Sequence, residues 1–421
     1  YLNMNSSSNY GGNLSAGIID VMAQYYNCTT SEHNYSGYQS YAYDSKTSKD
    51  RFETVWKTTY SQISNLNAIL EHCGDGNPVL PELYYKLIKG EALGLRAMLH
   101  FDMLRLFGPL WTEKEQASIP YQTSSERIVE PLLSADSVLN CVLTDLTRAA
   151  DLLKDVDPVI TDGARNYSGG ENGNDLFYRQ YRMNYYAICA ILARVYSYGD
   201  KQTQARENAQ EVLDATYQNG MYLNKCFTFT GGGSYNSNYK LYDGVIFALS
   251  NQKLIDDYSH YLGSENIQLP VYYDAIIYNE DYDEIDTEDA RLCLFSVVDD
   301  YYYYSKKYTP QVGNSYGEDL IPMVRLSEMY YIISEALYTE GQTQLGINKL
   351  DEVRMARGIR GGKLQIGSLE EMQEAILRDA RRDFIGEGQL FYYYKKYDMT
   401  PNDWGYTIGR VLPLPDNQLI H

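Results

Sequence analysis

The sequence lacks the short motifs that commonly mark a metal site or a nucleophilic active site. Its six cysteines form no CxxC pair, its five histidines form neither HxxxH nor HExxH, and no GxSxG occurs. Scattered cysteines in apolar helical surroundings are typical of buried free thiols. We therefore predict no metal ion, no cofactor and no disulfide framework.

Basic patches and long apolar runs are also missing. The chain carries 56 acidic against 36 basic residues, a net charge of −20, and no dense Lys/Arg cluster offsets it. Such a chain repels phosphate backbones and anionic lipid surfaces, which argues against a protein that binds nucleic acid or a membrane surface. No uninterrupted apolar run approaches the roughly 20 residues that a bilayer-spanning helix needs.

Phenylalanine and tryptophan are scarce, while tyrosine is abundant: 10 Phe and 3 Trp stand against 44 Tyr. The densest run is DDYYYYSKKY, from Asp299 to Tyr308. Its β-prone residues predict a strand, in which alternate side chains point to opposite faces. At most half of these tyrosines could then meet a ligand, so the run favours a structural role.

Apolar residues recur at helical spacing over much of the chain. Between Tyr84 and Leu106 they are spaced 4, 4, 3, 4, 4 and 3 residues apart, which is one face of an α-helix that Gly108 ends. Gly90 and Gly94 are small enough to let a neighbouring helix approach closely. Helices are predicted over about 51–73, 84–107, 131–154, 182–199, 201–217, 320–340, 342–357 and 368–397.

Two of the predicted helix pairs share one pattern. Small and large residues at 189, 192, 193, 196, 200, 205, 209 and 212 have the same spacings as those at 330, 333, 334, 337, 341, 346, 350 and 353. This resembles the tetratricopeptide helical hairpin, in which small residues lie where two helices touch. Such units need stacked neighbours to bury their faces, which the other predicted helices could supply.

Three stretches are rich in Gly, Asn, Asp and Tyr instead, and helical periodicity fades in them. Loop-rich sections of this length inside a helical protein are usually functional. Short β-prone pieces such as GVIFALS occur in the last of them. We predict one domain over residues 1–421, with a helical scaffold at about 51–111, 130–217 and 320–398 and loop-rich variable regions at about 1–50, 157–181 and 218–319.

Several sequence blocks, in order from Trp56 to His421, resemble the SusD/RagB family of outer-membrane nutrient-binding lipoproteins. They are VWKTTYSQISNLNAIL, KGEALGLRAMLHFDMLRLFGPL, RMNYYAICAILARVY, PMVRLSEMYYIISEALYTEG with INKLDEVRMARG, RDARRDFIGEGQLFYYYKKY and RVLPLPDNQLI. The most specific of them is the block with RLSEMYYIISEA. Asp379 and Asp383 stand where glutamate is usual and conserve its charge, while Leu390 stands where a basic residue is common and Tyr393 where aspartate is common. These departures predict a weaker internal charge network.

The resemblance implies a mainly α fold, with tetratricopeptide-like hairpins in a right-handed superhelical scaffold and a loop-rich, partly β variable region on one face. The run of four tyrosines would seat that region on the last helical repeat. The resemblance also implies a bacterial cell-surface protein that binds a nutrient, usually a glycan, and delivers it to a SusC-like TonB-dependent outer-membrane transporter. Membrane attachment would come only from a lipid on an N-terminal cysteine that this chain does not include.

A glycan site needs aromatic rings that stack on the C–H faces of a sugar and short polar side chains that bond its hydroxyls. Three loop segments have this composition: EHNYSGYQSYAYD, GGGSYNSNYKLYDG and DDYSHYLG. The candidate ligand-binding residues in them are Tyr35, Tyr38, Tyr41, Tyr235, Asn236, Asn238, Tyr239, Tyr258 and Tyr261. The alternative is that these tyrosines pack the loops onto the helices, with the ring buried and the hydroxyl wet.

Acidic residues of the RLSEMYYIISEA stretch allow two interpretations. Glu328 and Glu335 are seven residues apart on nearly one helical face, so they could act as an acid/base pair on a glycosidic bond. We favour an Arg–Glu network that includes Arg325 and locks adjacent helices, and we interpret Glu387 in the same way. Candidate partners are Arg354, Arg357 and Arg381.

The sequence thus predicts a non-enzymatic glycan-binding protein at the outer-membrane surface. Peptide or glycopeptide cargo is an alternative within the same family. An all-helical glycoside hydrolase is less favoured, since it would need two carboxylates about 5 Å or about 6.5–9.5 Å apart in a cleft. A pure interaction scaffold of the tetratricopeptide kind is the third alternative.

Overall fold

Helices dominate the structure, and its strands are few and short. The computed structural model describes residues 1, 4–76, 79–126, 128–166, 176–262, 269–272, 289–297, 302–311, 316–360, 364–401 and 408–415. The helices are α1 (Ile18–Met22), α2 (Ser36–Gln39), α3 (Lys46–Cys73), α4 (Glu82–Phe107), α5 (Ala135–Leu153), α6 (Val159–Asp162), α7 (Tyr185–Tyr198), α8 (Gln202–Asp214), α9 (Leu254–Leu262), α10 (Leu326–Thr339), α11 (Thr343–Ala356), α12 (Leu369–Phe384) and α13 (Leu390–Tyr397). The strands are β1 (Thr216–Asn219), β2 (Tyr222–Lys225), β3 (Val245–Ser250), β4 (Val271–Tyr272), β5 (Phe295–Val297), β6 (Tyr302–Ser305) and β7 (Leu320–Arg325). None of these helices is long and apolar enough to cross a membrane.

The long helices form a continuous stack. Helix α4 packs between α3 and α5, and α5 packs on α7. The pairs α7–α8 and α10–α11 pack as predicted, and both α8 and α12 lie against α10. At the aligned turn positions of the two pairs, Asp200 and Gly341 both have a left-handed backbone, with φ of 57° and 81°. The two helix pairs are confirmed, while the right-handed superhelix stays a prediction.

Helix α4 lies at the centre of the stack because its glycines let two neighbours come close. A Cβ at Gly94 would lie 2.2 Å from Ile188 Cδ1 of α7, and a Cβ at Gly90 would lie 2.7 Å from the Leu153 side chain of α5. The prediction of a single apolar face is wrong for residues 89–107, which are buried nearly all round. Surrounded by three helices, this part of α4 has no face left for water.

Two of the predicted helices differ in detail from the structure. Residues 320–325 of the predicted 320–340 helix form the buried strand β7, which pairs antiparallel with β3. Pro322 lacks the N–H that a helix interior uses, which favours the strand. The predicted 368–397 helix is two helices, because Gly386 and Gly388 turn the chain between them with φ of 79° and 66°.

The described part of the tyrosine-rich run forms the predicted strand over Tyr302–Ser305, while residues 299–301 lie outside the described residues. Strand β6 is the middle strand of a three-stranded antiparallel sheet with β4 and β5. The chain then enters the core, where Lys307 Nζ donates to the Asp383 carbonyl (2.8 Å) and the Tyr308 hydroxyl donates to the Gly386 carbonyl (2.8 Å). This confirms that the segment is seated on the C-terminal helices.

One core joins the beginning of the chain to its end. Its buried apolar residues run from Met4 to Leu412. The Asp20 carboxylate in α1 accepts hydrogen bonds from the backbone N–H groups of Gly386 (2.5 Å) and Gly388 (3.1 Å). Burial raises the pKa of Asp20 well above its usual range. The N-terminal region is therefore part of the core, although it has little regular structure.

Candidate functional site

The first predicted segment packs against the start of α3. Tyr35, which immediately precedes α2, and Tyr38, which lies within it, are buried. The Arg51 guanidinium lies over both rings, 5.0 Å from the Tyr35 centroid and 5.4 Å from the Tyr38 centroid. Tyr41 is half-buried, and its hydroxyl donates to the Met22 carbonyl (2.7 Å). Of these three rings, only Tyr41 keeps surface that a ligand could reach.

The second predicted segment folds over the core. Tyr235 and Tyr239 are buried. The side-chain amide of the buried Asn238 donates to Asp243 Oδ2 (2.9 Å) and accepts from the backbone N–H of Tyr242 (3.0 Å). The amide that was expected to bond sugar hydroxyls thus shapes its own loop.

The third predicted segment lies on α9. Tyr258 is buried and stacks on Tyr308, with ring centroids 4.3 Å apart and planes at 25°. Lys240 Nζ lies 5.3 Å from the same Tyr308 ring, so the second and third segments meet there. The side chains of Asn236 and Tyr261 lie outside the described part of the structure.

Six of the nine candidates pack in the interior. The sequence analysis proposed them as ligand-binding residues and gave packing as the alternative, and the structure shows the packing. They are Tyr35, Tyr38, Tyr235, Asn238, Tyr239 and Tyr258. The physical reason is that a tyrosine ring is apolar enough to fill a core while its hydroxyl finds a partner. With so few phenylalanines, this chain uses tyrosine for that purpose. Ligand binding by any of the nine candidates stays a prediction.

Four partly exposed tyrosines lie together beside the second segment. We call Tyr178, Tyr181, Tyr242 and Tyr316 the tyrosine cluster. Tyr242 and Tyr316 meet edge to face, with centroids 4.5 Å apart and planes at 82°. Tyr178 is 38% exposed, and the other three are half-buried. Tyr242 belongs to a predicted segment, but sequence reasoning missed the other three because no local pattern shows that their stretches meet.

Polar side chains hold the cluster together. The Tyr316 hydroxyl donates to Gln180 Oε1 (2.8 Å), and Gln180 Nε2 donates to the Tyr242 carbonyl (2.7 Å). The Tyr181 hydroxyl donates to Asp319 Oδ1 (3.0 Å). Burial and the Asp319 charge raise the pKa of Tyr181, so this hydroxyl stays protonated.

A charged pair lies at the edge of the cluster. Arg165 pairs with Asp243, and the Arg165 guanidinium lies 6.0 Å from the Tyr242 ring centroid. Both side chains are partly exposed. Rings, a guanidinium and a carboxylate side by side are the groups that stack on a sugar and bond its hydroxyls.

Strained backbone accompanies the cluster. Tyr178 and Leu241 have φ of 53° and 50°, a left-handed conformation that favours glycine. Strain of this kind costs about 1–3 kcal/mol and persists where the surrounding structure holds it. It lies at, or next to, two of the four clustered tyrosines.

Lys240 fixes the two loops of the cluster to each other. Its ammonium group is buried and donates to the carbonyls of Gly317 (2.8 Å) and Glu318. Burial lowers the pKa of Lys240 to about 7. Because Lys240 lies two residues before Tyr242 and Gly317 follows Tyr316, these bonds keep the edge-to-face pair in place.

The carboxylates of α10 are buried and paired. Arg194 donates to both oxygens of Glu328 from Nε and Nη2, each at 2.6 Å, and Lys396 pairs with Glu335. The two carboxylates therefore join α10 to α7 and α13. The network interpretation is confirmed, and the cavity of about 20 Å³ that Glu328 borders is too small for a sugar.

The partners in this network differ from the predicted ones. Arg325 donates to both oxygens of Glu387 at 2.6–2.7 Å from Nε. The three arginines that were expected to pair with these glutamates bond elsewhere: Arg354 to Asp351, Arg357 to Asp383 and Tyr235, and Arg381 to Tyr394 and the Gln24 carbonyl. Helix-to-helix distances decide such partners, and the sequence does not contain them.

Asp379 and Asp383 are fully engaged. The buried Arg291 donates to Asp379 Oδ1 (2.6 Å), to Asp383 Oδ1 (2.9 Å) and to Asp289 Oδ2 (2.8 Å). Arg357 and Arg291 hold the pKa of Asp383 well below its usual range. Both aspartates therefore keep charged partners, as expected of replacements that conserve charge, and a weaker network stays a prediction.

The cysteines and acidic residues form no metal site in the described part of the chain. All six cysteines are free, and four of them are buried. Burial raises the pKa of the Cys28 thiol to about 12. Among the described residues, no group of three or more His, Cys, Asp or Glu side chains could hold a metal ion.

Comparison with known families identifies two stretches of the chain. A family model described as "Starch-binding associating with outer membrane" matches residues 8–162, and a model described as "SusD family" matches residues 298–410. The chain is also similar to the SusD-like protein P38 of Formosa agariphila, with 23% identity over 371 residues, 80% of this chain and 70% of that protein.

Solved structures share the fold. A SusD superfamily protein from Bacteroides thetaiotaomicron has a TM-score of 0.74 at 13% identity, covering 99% of this chain and 93% of that one. A SusD-like carbohydrate binding protein from Bacteroides vulgatus has a TM-score of 0.68 at 18% identity, covering 94% and 80%. The predicted fold class, mainly α with a loop-rich and partly β region, is confirmed.

Proposed function

The chain belongs to the SusD/RagB family, and on that premise we propose that it captures a glycan at the cell surface for nutrient uptake. A SusC-like TonB-dependent transporter of the outer membrane would receive the glycan. Attachment to that membrane would come from an N-terminal lipid. The transporter and the lipid are part of the proposal and rest on family membership alone.

The tyrosine cluster is the observation that supports a glycan site in this chain. Tyr242 and Tyr316 meet edge to face and are both half-buried, and the partly exposed ion pair of Arg165 and Asp243 lies beside them. An aromatic ring covers the C–H face of a sugar, and the polar groups bond its rim. The half-buried Tyr41 remains a further candidate outside the cluster.

The proposed role is binding without hydrolysis. Glu328, Glu335 and Glu387 are buried in ion pairs, so they are not placed to protonate a glycosidic oxygen. Incubation of the purified protein with its bound polysaccharide should release no new reducing ends. Release that one Asp or Glu substitution abolishes would show a hydrolase instead.

Affinity electrophoresis of the protein through gels that contain different polysaccharides would identify the ligand. With that ligand, Tyr242→Ala should weaken binding about tenfold, because loss of one stacked ring costs about 1–2 kcal/mol. Tyr222→Ala is the matched control, since Tyr222 is 72% exposed on the β1–β2 hairpin and lies outside the cluster.

Each result of this experiment decides a different point. Equal binding by Tyr242→Ala and wild type would remove the tyrosine cluster as the site, while a retarded wild type would still support the glycan-binding function. No retardation by any polysaccharide in the panel would count against the function itself.

A further inference from the structure

A cavity of about 460 Å³ lies on the helical scaffold between α3, α4 and α5. It shares no residue with the tyrosine cluster. Part of its wall is apolar, with Leu70, Leu93 and the half-buried Cys141. Cavities of this size suit a small molecule or one or two sugar units.

A neutralised ion pair lines the wall of this groove. Arg96 donates to the two oxygens of Asp145 from Nε and Nη2, each at 2.7 Å, and to Asn67 Oδ1 (2.9 Å). The Tyr121 hydroxyl also donates to Asp145 (2.6 Å). The Arg96 and Asp145 charges compensate each other, so neither of them attracts a charged ligand strongly.

Two further charged side chains are also occupied. The Glu71 carboxylate accepts from the backbone N–H (2.7 Å) and the hydroxyl of Ser125, and these bonds lower its pKa. Lys89 Nζ donates to the Gly74 carbonyl and to the Tyr85 hydroxyl (2.9 Å). The Asp75 carboxylate lies at the mouth in full contact with solvent, where water screens its charge.

Arg148 is the charged group of the groove that has nothing to pair with. It is exposed and has no hydrogen bond or ion pair with the residues that the structure describes. Asp145, three residues earlier on α5, would be its natural helical partner but is turned towards Arg96. The unpaired guanidinium at this cavity is a local binding position for one anionic group, whose attraction has to exceed the long-range repulsion of a chain with net charge −20.

The geometry points to a carboxylate-bearing sugar, a uronic acid unit, as the ligand of this groove. Arg148 would bind the carboxylate, since a guanidinium matches a carboxylate with two parallel hydrogen bonds. Leu70 and Leu93 would cover a C–H face. Thr123 and Thr144 belong to the same lining, and the Thr144 hydroxyl, which donates to the Asn140 carbonyl (2.8 Å), could still accept a hydrogen bond from the sugar. This is a second saccharide site, independent of the tyrosine cluster.

The test compares trigalacturonate with its fully methyl-esterified trimer by calorimetry on the full chain. Esterification removes the carboxylate charge of each unit and adds one methyl group to it. Wild type should bind trigalacturonate, and Arg148→Gln should weaken that binding about tenfold, the usual effect of losing a charge-assisted hydrogen-bonded pair. Lys154→Gln on the same helix is the matched control, because it removes one positive charge outside the groove.

Two further measurements locate the binding. Thr144→Trp fills the groove from an exposed position and should abolish binding without touching a charge. Bound trigalacturonate should also slow alkylation of Cys141, followed by mass spectrometry of its peptide, and half-maximal protection should need about tenfold more trigalacturonate in Arg148→Gln than in wild type.

Absence of a binding heat, equal affinity for the esterified trimer, or wild-type affinity in Arg148→Gln would each overturn the proposal. Binding of neutral polysaccharide through Tyr242 is measured separately. Failure of the groove and failure of the glycan-binding function are therefore distinguishable.

Discussion

Buried tyrosines of this protein are held by hydrogen bonds from their hydroxyl groups as well as by packing. The Tyr25 hydroxyl donates to the Arg381 carbonyl (2.8 Å), and the Tyr331 hydroxyl donates to Asp379. Each such bond joins segments that are distant in the sequence. Tyrosine thus supplies a directional contact that phenylalanine could not.

Glu328 offers a direct test of whether the α10 carboxylates are structural. Glu328→Gln leaves the buried Arg194 without its counter-charge, so the free energy of unfolding should fall by about 3 kcal/mol in urea denaturation. Glycan binding by the folded variant should equal that of wild type. Lost function with unchanged stability would instead assign Glu328 to a reaction or to ligand contact.

Lys240 should make stability depend on pH. Its pKa is lowered by burial from 10.5 to about 7, with Asp319 and Glu318 opposing that shift and Lys307 adding to it. Between pH 7 and pH 9 the unfolded chain therefore holds a proton that the folded chain lacks. The contribution of Lys240 to the free energy of unfolding is therefore lowest below pH 7 and rises as the pH increases.

The measurement is the difference in unfolding free energy between wild type and Lys240→Met. The unfolding free energy of wild type, relative to that of Lys240→Met, should increase by about 2 kcal/mol from pH 7 to pH 9. A difference that is flat across this range would mean that Lys240 stays charged in the fold. The hydrogen bonds to Gly317 and Glu318 are lost at every pH and so do not alter the slope.

The kind of side-chain interaction could be predicted from sequence better than its partner could. An ion-pair network around Glu328 follows from the density of charged residues on a buried helix. The identity of Arg194, 134 residues earlier, depends on which helices pack together. The same limit applies to the tyrosine cluster, whose loops meet only through the fold.

At the scale of elements, local patterns were the most informative. Helical periodicity and small residues at crossings predicted the α7–α8 and α10–α11 pairs because both signals lie within one short stretch. The strand β7 was missed because a short apolar run does not distinguish a buried strand from a buried helix. Its partner β3 lies about 75 residues earlier in the chain, so a local sequence pattern does not predict the pairing.

Gly346 is the tightest point of the α10–α11 pair. A Cβ there would lie 2.6 Å from the Ser334 carbonyl oxygen and 3.0 Å from the Tyr338 nitrogen, and backbone atoms cannot move aside as side chains do. Gly346→Ala should therefore lower the free energy of unfolding by about 1–3 kcal/mol in denaturant titration.

A matched glycine is available as the control. Nothing lies within 4 Å of a Cβ at Gly231, so Gly231→Ala should change stability by less than about 0.5 kcal/mol. Ala205 occupies the aligned position of the first pair and is tolerated there. If Gly346→Ala were as stable as wild type, α10 and α11 would not approach each other more closely than α7 and α8 do. The short contact at Gly346 would then be contradicted.

At the scale of the whole molecule, the apolar residues form one main cluster from the N-terminal segment to the C-terminal helices. A single core predicts a single cooperative unit, and one domain over the whole chain stays a prediction. Differential scanning calorimetry should show one transition with equal calorimetric and van't Hoff enthalpies. Two separable transitions would divide the chain into two domains. Reversibility on a second scan is the control.

The contact between Asp20 and the backbone of Gly386 and Gly388 constrains the order in which parts of the chain can fold. Translation delivers residue 20 hundreds of residues before the turn that receives it. Until that turn emerges, a carboxylate meant for the core has no buried partner, and the N-terminal segment cannot settle. The N-terminal segment should therefore complete its packing only after residues 386–388 have been synthesised, so a chain shortened before them should leave this segment open to proteolysis.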